Sequence, residues 1–87
     1  MCTYNTEYAQ LTGSAKGRNG WFRLDQATVY YDHPVHAPAE HTLNIDLADR
    51  TAGPGGRLAV ELTASSAREL VAAIERALSA VPDDLLS

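Results

Sequence analysis

The stretch Leu58-Ala-Val-Glu-Leu-Thr-Ala-Ser-Ser-Ala-Arg-Glu-Leu-Val-Ala-Ala-Ile-Glu-Arg-Ala-Leu-Ser-Ala-Val-Pro82 changes its apolar period at Thr63, and that change decides the fold class. Before it, Leu58, Val60 and Leu62 alternate with Ala59 and Glu61, the period of two that turns one face of a strand toward a core. After it, Ala67, Leu70, Val71, Ile74, Ala77, Leu78 and Val81 recur three and four residues apart, while Arg68, Glu69, Glu75 and Arg76 fall off that stripe. This is the period of an amphipathic helix. Thr63 or Ser66 can cap its start, Ser66 with Glu69 at capping-box spacing, and Pro82 stops it. The spacing predicts a helix over residues 64–81 that lays the Leu70, Val71, Ile74 and Leu78 stripe on a sheet.

Working toward the N-terminus, His41, Leu43, Ile45 and Leu47 alternate with Thr42, Asn44 and Asp46 as another strand. Between it and Leu58, Asp49, Gly53, Pro54, Gly55 and Gly56 have the composition of a turn. Trp21 to Leu24 and Ala27 to His33 both read as extended, but the apolar phase slips across Asp25 and Gln26, which calls for a bulge or a second turn. Cys2 to Leu11 alternates as a first strand, and Gly13 to Gly20 reads as a turn around the Asn19-Gly20 pair. The expected fold is α+β: a small antiparallel sheet of four to five strands over about residues 2–62, one C-terminal amphipathic helix, and a tail from 82 to 87. All of it forms a single domain.

A chain of 87 residues builds a modest core. Seven Lys and Arg against eleven Asp and Glu, a net charge of −4, oppose binding to a phosphate backbone, so no nucleic acid is expected. No apolar run reaches the 18 or so residues of a membrane span. The start lacks the basic segment and apolar core of a secretory signal, and the single cysteine forms no internal disulfide, so the expectation is a cytoplasmic protein. Tyr4, Tyr8, Trp21 and Tyr30 exceed what one helix covers, which predicts a homodimer.

All three histidines, His33, His36 and His41, fall within nine positions around Pro34 and Pro38. Neutral imidazoles are ligands for zinc or another transition metal, with Cys2 or Glu40 as a further donor and Asp32 orienting a ring. The same residues without metal suit proton exchange with a small-molecule ligand, a histidine being held in one tautomer by Asp32, Glu40 or Asp46. The plain alternative is a polar, solvated loop. A secondary candidate is the carboxylate pair Asp46 and Glu61, which share a polar strand face with Asn44 and would divide acid and base roles if each raised the other's pKa. Such residues also form the solvated side of ordinary sheets. Cys2 is a metal ligand, a nucleophile or a small buried residue. Lys16 and Arg18 lie among glycines without the ending of a P-loop, and no serine has the surroundings of a nucleophile elbow.

Gly20-Trp-Phe22, Tyr30-Tyr-Asp-His-Pro-Val-His-Ala-Pro38, Leu43-Asn-Ile-Asp46 and Val60-Glu-Leu-Thr63 are similar to segments of a short bacterial family of unknown function. The resemblance covers nearly the whole chain and implies no activity, cofactor or catalytic residue. Two functional classes follow from the residues themselves. One is a small-molecule or metal site around His33, His36 and His41, enzymatic or not; the other is a non-enzymatic interaction module that homodimerises through its sheet.

Overall fold

The computed structural model describes residues 4–87. They form a four-stranded antiparallel sheet in chain order, β1 (Thr6–Gly17), β2 (Gly20–Asp32), β3 (Thr42–Ala48) and β4 (Arg57–Leu62), followed by α1 (Ala64–Ser79). Short 3-10 turns lie at Gly53–Gly56 and Asp83–Leu85. The α+β class read from the period change is the observed one. Thr63 caps α1, its side chain accepting the Ser66 N–H at 3.2 Å. The expected strand start at Cys2 lies outside the described residues.

Residues directly opposite in an antiparallel ladder share a face, so the register sorts the sheet into two chemistries. The rows Val29–Ile45–Val60, Tyr31–Leu43–Leu62 and Ala27–Leu47–Leu58 make one face apolar. The rows Tyr30–Asn44–Glu61, Thr28–Asp46–Ala59 and Gln26–Ala48–Arg57 make the other polar.

The glycine-rich stretch expected as a turn is mostly strand: Ser14, Ala15 and Lys16 pair with Arg23, Phe22 and Trp21, and the chain reverses at Arg18 and Asn19. Gly20 takes φ 107° while Arg18 and Asn19 keep negative φ, the pattern of a type I turn followed by a positive-φ glycine. The expected irregularity near Asp25 exists, but on the opposite strand. Gln10 pairs with Gln26 and Gly13 with Leu24, so Leu11 and Thr12 stand against Asp25 alone. β2 itself runs unbroken, and its apolar phase slips because Phe22 and Leu24 face the side opposite to Val29 and Tyr31.

Residues of β2 before Gln26 pair with β1 alone, forming a hairpin arm beyond β3. Its base is clipped to the β3–β4 turn by Arg23 to Asp25 and Asp49 at 3.6 and 3.5 Å, and by Arg50 Nε to Asp25 at 3.2 Å. β1 and β4 approach one another although they are not sheet neighbours, so the sheet is coiled.

The packing departs from expectation in one respect. Among the described residues the buried apolar side chains are Ala15, Leu24 and Ala27, and none in α1 is buried. Leu70, Val71, Ile74 and Leu78 are 44, 59, 51 and 50% exposed. The stripe forms as the period requires but does not lie on the sheet of its own chain. Thr63 is the one residue between β4 and α1, and the helix leaves that edge in contact with β3 and β4. Among the described residues, no helix is long and apolar enough to cross a membrane.

Candidate functional site

The histidine segment links Asp32, the last residue of β2, to Thr42, the first of β3. Pro34 and Pro38 stiffen it, and a carboxylate from β4 grips it. The N–H groups of Val35, His36 and Ala37 donate to Glu61 at 2.5, 3.0 and 2.7 Å. These bonds, led by Val35 and then Ala37, hold the Glu61 carboxyl below the usual glutamate range, with burial opposing them. Asn44, Asp46 and Glu61 do share the polar face. Glu61, however, anchors the loop, and its pKa moves opposite to the rise expected of a mutually coupled carboxylate pair. Asp46 Oδ2 instead meets the Tyr30 hydroxyl at 3.4 Å and Arg57 at 3.9 Å. Burial, and after it the Asp46 charge, raise the Tyr30 hydroxyl pKa. Under them Thr42 is wholly buried, its hydroxyl donating to Asn44 Oδ1 at 2.6 Å.

The histidines divide. His33 stacks on His41 with ring centroids 4.6 Å apart, His41 stacks on Tyr31 at 5.9 Å, and Tyr31 adjoins Tyr4 at 6.4 Å. His33 Nδ1–H donates to the Glu40 carbonyl at 2.9 Å, and the His33 N–H to Asp32 Oδ1 at 2.7 Å. His36 is held through its backbone by Glu61. Imidazole lone pairs lie in the ring plane, so face-stacked rings direct them side by side rather than toward a shared ion. Among the described residues, no group of three or more His, Cys, Asp or Glu is placed to hold a metal, and Cys2 lies outside them.

The concave surface lies elsewhere on the polar face. A cleft of about 520 Å³, open to solvent, is lined by Gln26, Thr28, Ala48, Asp49, Arg50 and Arg57. A neighbouring one of about 550 Å³ adds Tyr8, Gln10 and Asp25. Asp49 is tied into the turn by the Thr51 hydroxyl and N–H at 2.7 and 3.0 Å, which lower its pKa. The Asp49-Arg50-Thr51 spacing of a side-chain-bonded turn was the local signal for this cluster; its pairing with Arg23 and Asp25 had none.

The largest unsatisfied chemistry is apolar. The stripe on α1 and the sheet face of Val29, Ile45 and Val60 belong to one chain, and neither is buried. No curated protein and no solved structure matches this chain. Residues 1–87 match the family of unknown function DUF6295, and the chain belongs to that family.

Proposed function

We propose that the protein is a non-enzymatic interaction module that works as a homodimer, each copy completing the hydrophobic core of the other. The observation that carries this reading is that Leu24 is the one large apolar side chain buried among the described residues. Folding a chain costs about 1–2 kcal/mol per residue in backbone entropy, and apolar burial is the main term that offsets it. Two buried alanines, one buried leucine and a set of only half-buried sheet residues offset part of it. The helix raises the same difficulty, because an amphipathic helix of this length draws most of its stability from packing its apolar face.

The surface supports the same partner. A compact globular chain of 9.4 kDa exposes about 5,000 Å², whereas this one exposes 6704 Å², an excess of roughly 1,700 Å². A standard protein interface takes about 800 Å² from each partner, so the excess is ample for a stable dimer. The radius of gyration, 14.5 Å against about 12 Å for a compact domain of this length, points the same way. Sedimentation equilibrium over a wide concentration range tests the proposal. A mass of two chains is the expected result, and a single-chain mass at every concentration overturns it.

A further inference from the structure

Two apolar surfaces of unlike shape are left exposed or half-buried on each chain. One is the ridge of Leu70, Val71, Ile74 and Leu78 on α1; the other is the sheet face formed by the rows through Ile45 and Leu43. We infer that in the dimer each α1 ridge docks on the apolar sheet face of the other copy, the two contacts being related by one two-fold axis. The inference rests on the homodimer reading and specifies which surfaces meet.

Helix against sheet is one of the few layer pairs that build a domain, and a single chain here carries both layers without stacking them. A two-fold contact is self-complementary when patch i meets patch j and j meets i, so a reciprocal exchange needs no further surface. The alternatives leave apolar area in water. Pairing ridge with ridge covers α1 and leaves both sheet faces half-buried, and pairing sheet with sheet leaves both ridges exposed. Reciprocal exchange covers all four surfaces with the same axis.

The dimensions agree. The 16 residues of α1 span about 24 Å at 1.5 Å per residue, and the seven of β3 span about 23 Å, so one helix lies along the sheet without overhang. Arg68, Glu69, Glu75 and Arg76 flank the ridge with both signs of charge and no net charge, as the rim of an interface requires. Glu7, opposite Val29 on the apolar face, marks the β1 limit of the dock.

Cross-linking of mixed chains tests the inference. In a Cys2→Ser background, one preparation carries Ile74→Cys and a second carries Ile45→Cys; the two are refolded together and treated with a short bis-maleimide. The expected result is a covalent dimer in the mixture at several times its yield from either preparation alone. Efficient cross-linking of the Ile74→Cys chain with itself, and no product in the mixture that joins an Ile74→Cys chain to an Ile45→Cys chain, means ridge against ridge and overturns the inference while the homodimer stands. A chain carrying both cysteines that links to itself at single-chain mass shows α1 closing on its own sheet, which also overturns it. Isotope-filtered NMR on a mixture of labelled and unlabelled wild-type chains reads the same geometry without any substitution. Contacts between Ile74 and the Ile45 or Val60 methyls across chains are expected, and Ile74 to Ile74 contacts alone reject the exchange. A single-chain mass in sedimentation removes the homodimer reading itself.

Discussion

The carboxylate of Glu61 accepts three backbone N–H groups from residues 24 to 26 positions earlier in the chain. Charge-assisted bonds of this kind are stronger than neutral ones, and here they order a loop that prolines alone would leave stiff but unplaced. Because the folded pKa of Glu61 lies below its ordinary value of 4.5, the unfolded chain takes up the proton first as pH falls. The stabilisation is therefore complete above about pH 4.5 and is lost as pH drops through the lower, folded pKa. The protection of the Val35, His36 and Ala37 amides, relative to their intrinsic exchange rates at each pH, should fall across that range in the parent protein. Glu61→Gln, which removes the charge, should show fast exchange there at neutral pH, with β2 and β3 protected as before. Equal protection in parent and variant would mean that the prolines, not the carboxylate, place the loop.

Among the elements, the β1–β2 hairpin depends most on one backbone position. Gly20 sits at φ 107°, where a side chain is strained although nothing stands within 4 Å of a Cβ placed there. The strain is thus conformational and not a clash. Gly20→Ala should destabilise the fold by about 1–2 kcal/mol, measured as a lower midpoint in denaturant unfolding with an unchanged slope. Gly13, with ordinary φ and open space around it, is the control, and Gly13→Ala should cost much less. The bulge at Leu11 and Thr12 lies within the same hairpin, where the arm passes the end of β3 and the Arg23, Asp25, Asp49 and Arg50 cluster clips it in place.

For the molecule as a whole, the proposed homodimer makes stability depend on protein concentration, since a partner that binds only the folded chain stabilises it by mass action. Thermal midpoints should rise with concentration. Ile74→Ala should cost about 2–5 kcal/mol per buried site in the dimer, the usual penalty for deleting a packed aliphatic side chain. In a separated chain Ile74 is 51% exposed, and the same substitution should cost little. Midpoints independent of concentration, together with a full Ile74→Ala penalty at high dilution, would place the side chain in a single-chain core instead.

Much of this architecture is a property of local sequence. Alternation in residues 41–47 and 58–62, the three-and-four spacing after Thr63, and a reversal next to the Asn19-Gly20 pair each follow from backbone geometry over a few residues, so they are legible without knowing what lies nearby. The sharing of one face by Asn44, Asp46 and Glu61 is legible for the same reason. Tertiary structure decided the rest. A glycine-rich stretch became strand because Arg23, Phe22 and Trp21 were there to pair with it, and the slip at Asp25 was absorbed by β1 across the ladder. Glu61 came to accept the N–H groups of the loop, and His33 and His41 stacked while the His36 backbone was held by Glu61. The helix stripe was written in the sequence, but not the surface it covers. Periodicity states which side of an element is apolar, whereas its cover depends on how a coiled sheet and a one-residue connection aim the helix in space.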